Sequence, residues 1–126
     1  MVGTANVSAT IGVKDLGVAT GFYGGVLGLH VASEKEYEVV YDSGSTQLLV
    51  YQTEFAGTNK ATYATWEVSD IENEVAELKD KGVMFEHYDL PYAKLEGDMH
   101  VTDDGEKAAW FKDPDGNILN LHEVVD

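Results

Sequence analysis

An α+β fold made of two tandem βαβββ modules is what this sequence predicts, and three observations predict it. Ile11-Gly-Val-Lys-Asp15-Leu16 and Trp66-Glu-Val-Ser-Asp70-Ile71 share one design, a β-patterned run closing on Val-x-Asp-(Leu/Ile), 55 residues apart. Each run is followed by apolar residues at three- and four-residue spacing, which is a helix period. Each helix is followed by three more runs of β character. At 126 residues the chain has room for one ordinary domain, 1–126, with modules at 7–53 and 61–126 and a linker at 54–60.

The elements follow in order. In the first strand, expected over 7–13, alternation places Val7, Ala9, Ile11 and Val13 on a helix-covered face and Ser8, Thr10 and Gly12 on the other. Asp15 is a ready N-cap for a helix carrying Leu16, Ala19, Tyr23 and Leu27, with Gly28 at its stop. Gly17, Gly21, Gly24 and Gly25 weaken that helix by up to ~1 kcal/mol each, so packing must hold it. Their spacing fits neither a dinucleotide-binding nor a P-loop fingerprint. Strands are expected at 30–33, 37–41 and 47–51, the last two joined by the turn Asp42-Ser-Gly-Ser45.

The second module repeats the plan: a strand up to Val68, a helix capped by Asp70 with Ile71, Val75 and Leu78, Gly82 at its stop, then strands at 83–88, 107–111 and 117–123. Asp113-Pro-Asp-Gly116 is a turn in which proline presets φ and glycine supplies a positive one. The stretch 89–105 exceeds a usual connection, which makes it a candidate lid or an acidic excursion.

Alternation leaves a second sheet face bearing Ser8, Thr10, Leu49, Tyr51, Tyr63, Thr65, Glu67, Asn120 and His122. It is semi-polar, the character of a ligand surface or of a face packed on another chain. The cleft between the two modules is therefore where a small molecule is expected.

Composition narrows the partners. The formal net charge is −15, with 23 acidic residues against eight lysines and no arginine, so nucleic acid is not expected as a partner: a phosphate backbone would be repelled and no guanidinium fork is available. Cysteine is absent, which excludes disulfides and thiolate sites and suits a reducing cytoplasm. The first residues lack a signal-peptide pattern and no run approaches a membrane span, so a cytoplasmic protein without a membrane partner is expected.

Val13-Lys-Asp-Leu16, Phe22-Tyr23-Gly-Gly-Val-Leu-Gly-Leu29, Val68-Ser-Asp-Ile71 and Phe111-Lys-Asp-Pro-Asp-Gly-Asn117 together resemble the vicinal oxygen chelate superfamily of glyoxalases, bleomycin-resistance proteins and extradiol dioxygenases. The resemblance implies a curled mixed sheet forming a cup, and a homodimer. It also implies a divalent metal held by a first-strand His and a last-strand carboxylate of a module. Those positions hold Ser8, Tyr63, Asn120 and Leu49 here, or Gln47 in place of Leu49 if the register slips, so no metal ligand carries over and no cofactor is expected.

The leading expectation is a metal-free binder of an apolar or cationic aromatic molecule. Tyr51, Tyr63, Tyr92 and Trp110 would supply aromatic contact, and Ser8, Thr10, Thr65 and Asn120 would orient the ligand, with Leu49 and His122 completing the lining. Two rivals stand beside it. One is a glyoxalase-like lyase, isomerase or dioxygenase with displaced residues, either metal-free or holding a divalent metal at displaced ligands, for which His122, His100 and Glu67 are the candidate catalytic groups. The other is an interaction module whose semi-polar face packs on a second chain.

Overall fold

The computed structural model describes residues 1–125 and divides the chain into two compact units, Met1–Thr58 and Asn59–Asp126. The division falls inside the 54–60 stretch. No helix among the described residues is long and apolar enough to cross a membrane.

The first unit is a four-stranded sheet with the order β1-β4-β3-β2. Its strands are β1 (Ala9–Val13), β2 (His30–Glu34), β3 (Glu38–Ser43) and β4 (Thr46–Gln52). β1 runs parallel to β4, and the other pairs are antiparallel. Ile11, Val13, Val39, Tyr41, Leu48 and Val50 are buried, and Ala19 and Tyr23 from the helical segment join them. The first strand is shorter than its alternation predicts. Its ladder on β4 begins at Ala9↔Leu48, and residues 7 and 8 stay outside it although β4 itself starts at Thr46; Val7 and Ser8 border a hollow with Thr46 and Gln47 instead. Val7 is consequently 93% exposed rather than core, and Ser8 lies outside the strand.

The glycine-rich segment also departs from a plain helix. Asp15 caps it as expected, its Oδ1 accepting the Val18 N–H at 3.0 Å. α1 then covers only Leu16–Thr20, and Gly21–Val26 continues as a π-helix, with Leu27 N–H donating to the Phe22 carbonyl five residues back at 2.9 Å. The weak helix propensity of four glycines lowers the cost of this wider turn. Tyr23 anchors it, packed edge-on against Phe22 and against Tyr41.

The second unit repeats the plan with an addition. β5 (Thr62–Glu67) leads to α2 (Ile71–Asp80), capped by Asp70 on Asn73 N–H at 3.2 Å. β6 (Phe85–Glu86), β7 (Ala93–Glu96), β8 (Met99–Thr102), β9 (Lys107–Lys112) and β10 (Ile118–Glu123) complete it. The sheet order is β5-β10-β9-β8-β7, with β6 also pairing β9. The stretch 89–105, read from sequence as a lid or excursion, holds the β7–β8 hairpin, and β8 joins the sheet through His100↔Ala108 and Val101↔Lys107. α2 packs on β9 and β10 and buries Ile71, Val75 and Leu78, on the side where Ala109, Phe111, Leu119 and Leu121 are also buried.

The Asp113–Gly116 turn is held by Asp113 itself. Its carboxylate accepts the backbone N–H groups of Asp115 and Asn117, both at 2.9 Å, and the Asn117 side-chain amide at 2.8 Å. Asp113 and Asn117 are 5% and 0% exposed, and Gly116 adopts φ 87°. The motif that carries much of the family resemblance is thus a structural knot.

Candidate functional site

The side of the second sheet away from α2 carries the candidate site, and strand register explains its make-up. Across β8, β9 and β10 the pairs His100↔Ala108 and Ala108↔His122 set two imidazoles on either side of one methyl group. Their Cα atoms are two strand spacings apart, roughly 10 Å. The neighbouring row is Glu86↔Trp110, Trp110↔Asn120 and Asn120↔Thr65. A small residue flanked by large ones leaves a hollow. The resulting pocket, of about 310 Å³, is lined by Thr65, Tyr92, His100, Ala108, Trp110, Asn120 and His122, with Leu90, Ala93, Thr102, Glu106 and Lys107.

His100 is the most deeply held of these side chains, 2% exposed. Its Nε2 accepts the Tyr88 backbone N–H at 2.9 Å, and its ring meets Trp110 edge-on at 4.9 Å between centroids. Tyr88 packs on Trp110 as well, at 5.5 Å, and burial, followed by the charge of Glu86, pushes its phenol above the usual tyrosine range. The Trp110 indole N–H donates to Thr62 Oγ1 at 3.1 Å, which fixes the ring. At the rim, His122 Nε2 stands 3.5 Å from Glu106 Oε2. Asn120 Nδ2 donates to Thr65 Oγ1 at 3.4 Å. His100 Nδ1 and Asn120 Oδ1 are buried and have no hydrogen-bond partner among the described residues.

The hairpin that supplies Tyr92 and His100 is pinned from outside the pocket. Asp98, at its turn, accepts from Lys79 Nζ of α2 at 2.7 Å and meets His87 Nε2 at 2.9 Å. These two hydrogen bonds hold the Asp98 carboxyl below the usual aspartate range.

Of the sequence-predicted residues, Thr65, Tyr92, His100, Trp110, Asn120 and His122 line this one pocket. Tyr63 has its phenol oxygen occupied by the Asn59 N–H at 3.3 Å. Glu67, opposite His122 in the β5–β10 register, lines a different hollow with Val68, Ser69, Glu123 and Val124. Ser8, Thr10, Leu49 and Tyr51 belong to the first unit. There Thr10 pairs with Leu49 and Tyr51 with Gly12, and Ser8 borders a polar hollow beside the β3–β4 turn with Asp42, Thr46 and Gln47. Sequence reasoning missed Ala108, the floor of the pocket, together with Leu90, Ala93, Thr102, Glu106 and Lys107. The alternation Ala108–Trp110 in a predicted strand was the available signal for the first.

A family model, the Glyoxalase/Bleomycin resistance protein/Dioxygenase superfamily, matches residues 6–121. The chain belongs to this superfamily. Solved structures of the superfamily fold align over nearly the whole chain. A glyoxalase family protein from Enterococcus faecalis is 23% identical with a TM-score of 0.76, covering 98% of this chain and 100% of its own. Lactoylglutathione lyase from Agrobacterium tumefaciens is 17% identical with a TM-score of 0.74, covering 95% and 93%. Fosfomycin resistance protein FosX from Mesorhizobium loti is 14% identical with a TM-score of 0.68, covering 97% and 93%. At these identities the likeness is one of fold. No curated protein matches the chain.

The superfamily's metal chemistry calls for imidazole and carboxylate donors. The positions expected from the sequence to hold these donors carry Ser8, Tyr63, Asn120 and Leu49, or Gln47 in place of Leu49. The Tyr63 oxygen already accepts a hydrogen bond, and Asn120 donates to Thr65. This donor set does not fit the ion. Among the described residues no three His, Asp or Glu side chains form a group able to hold one.

Proposed function

We propose that this superfamily member binds a small aromatic molecule in the second-module pocket over Ala108, with no metal at the superfamily positions. The observation that carries the reading is the pocket itself. Trp110, Tyr92 and His100 give it aromatic walls, and polar groups of Thr65, Asn120 and His122 stand among them. Its volume of about 310 Å³ is about twice the ~150 Å³ cavity known to hold benzene, which suits one or two rings. Flat aromatics are favoured by the ring walls.

Trp110 reports on the site, and replacing Trp66 by Phe leaves it as the sole tryptophan. Aromatic probes should change its fluorescence, and Ala108→Leu, which fills the floor while keeping strand character, should weaken their binding by at least about tenfold. Unchanged binding in Ala108→Leu would refute this site. Protein purified without chelator should carry no stoichiometric divalent ion; a one-to-one ion by elemental analysis would overturn the metal-free part of the proposal. The superfamily's homodimer belongs to the same proposal, and light scattering should give twice the 13.8 kDa chain mass.

A second reading has one specific observation behind it. His122 and Glu106 form an imidazole–carboxylate pair inside the pocket, an arrangement that orients a general base. On that reading the bound molecule loses a proton to His122. Hydrogen–deuterium exchange from a bound carbonyl compound, abolished in His122→Phe and Glu106→Gln, would favour it; no exchange would leave binding alone.

A further inference from the structure

The hydrogen-bonding direction of the pocket walls specifies the chemistry of the molecule, an inference that rests on the binding reading above. His100 Nε2 accepts the Tyr88 N–H, so in the neutral ring this nitrogen carries no proton and Nδ1 does. Nδ1–H is then a donor in a side chain 2% exposed, and it has no partner among the described residues. Asn120 presents the complement. Its Nδ2 is turned to Thr65, which leaves Oδ1 as a buried acceptor, also without a partner among the described residues. Both residues line the same pocket. An unmet buried donor and an unmet buried acceptor are each unfavourable, and a ligand that pairs both removes both penalties.

We propose that the pocket selects a neutral aromatic molecule carrying a hydrogen-bond acceptor, read by His100 Nδ1–H, and an N–H or O–H donor, read by Asn120 Oδ1. Aromatic carboxamides and lactams have this chemistry. Both protein atoms are buried, so the two side chains turn when the ligand enters. A quaternary ammonium would leave both atoms unpaired. A carboxylate offers acceptors alone, and Glu106 at the rim and the net charge of −15 oppose its entry.

The test titrates the full chain, in the Trp66→Phe background, with benzamide, N,N-dimethylbenzamide and ethylbenzene by tryptophan fluorescence and calorimetry. Benzamide should bind about tenfold more tightly than N,N-dimethylbenzamide, which lacks the N–H, and ethylbenzene should be weakest. Asn120→Leu should erase the difference between the two amides. His100→Leu should erase the preference for the carbonyl over ethylbenzene. His100→Gln should retain it, because its amide can accept from Tyr88 and donate into the pocket. Should His100→Leu fail to fold, imidazole ¹⁵N resonances of the parent protein decide the point: a protonated Nδ1 that shifts with benzamide and not with ethylbenzene is expected. Equal affinity for all three probes would overturn this inference and leave the binding pocket standing. No fluorescence or heat change with any of them, up to their solubility limits, would overturn the pocket as well.

Discussion

Asp113 and His100 show how differently two buried polar residues serve this chain. Asp113 spends its carboxylate on its own turn, accepting three hydrogen bonds from Asp115 and Asn117. Asp113→Ala would leave the fully buried Asn117 amide and two backbone N–H groups short of an acceptor, and should lower stability by about 3 kcal/mol, measurable as a reduced urea midpoint with little change in slope. His100 spends one nitrogen on Tyr88 and leaves the other buried without a hydrogen-bond partner among the described residues. The first role was legible in sequence, since Asp-Pro-Asp-Gly is turn chemistry with a local cause. The second was not. The partner of His100 is a backbone N–H twelve residues away, brought near by a hairpin that no periodicity in 89–105 announces.

At the scale of elements, the site depends on the β7–β8 hairpin more than on the repeat itself. The hairpin carries His100 and follows directly on Tyr92, and the Asp98–Lys79 and Asp98–His87 contacts tie its turn to α2 and to the end of β6. Asp98 has its pKa lowered in the folded protein, so the stability it contributes is present above the unfolded carboxylate value of about 3.9 and is lost as pH falls through the lowered one. Asp98→Asn should therefore reduce the melting temperature at neutral pH, and the gap to the parent should close at strongly acid pH. A gap of constant size across that range would show that the ion contacts are not its cause. The helices and most strands were readable from capping residues and alternation. The shortened first strand was not: residues 7 and 8 keep the alternation of a strand, yet the ladder on β4 begins only at Ala9↔Leu48 although β4 extends back to Thr46. The π-helical continuation of α1 was foreshadowed by its glycines, though the hydrogen-bond pattern they adopt is settled by the packing of Tyr23 on Tyr41.

For the whole molecule, two modules share one plan and differ in what their second faces hold. In the second unit a row of His100, Ala108 and His122 beside Trp110 and Asn120 makes a pocket; in the first, the Tyr51 ring lies over Gly12, where a built Cβ would come within 3.7 Å of it and 2.5 Å of Thr53 Cγ2. Gly12→Ala should accordingly destabilise the protein by about 1–3 kcal/mol through overpacking, with the loss read from thermal unfolding. Membership of the superfamily shows the fold, and the proposed function rests on side chains particular to this chain.

We propose that a small aromatic molecule occupies the hollow over Ala108. Amide chemical-shift mapping of the ¹⁵N-labelled protein during a benzamide titration tests it most directly. Saturable shifts should concentrate at Thr65, His100, Ala108, Trp110, Asn120 and His122, and should be lost in Ala108→Leu. Shifts centred instead on the polar hollow around Ser8 and Gln47, or shifts that persist unchanged in Ala108→Leu, would contradict it.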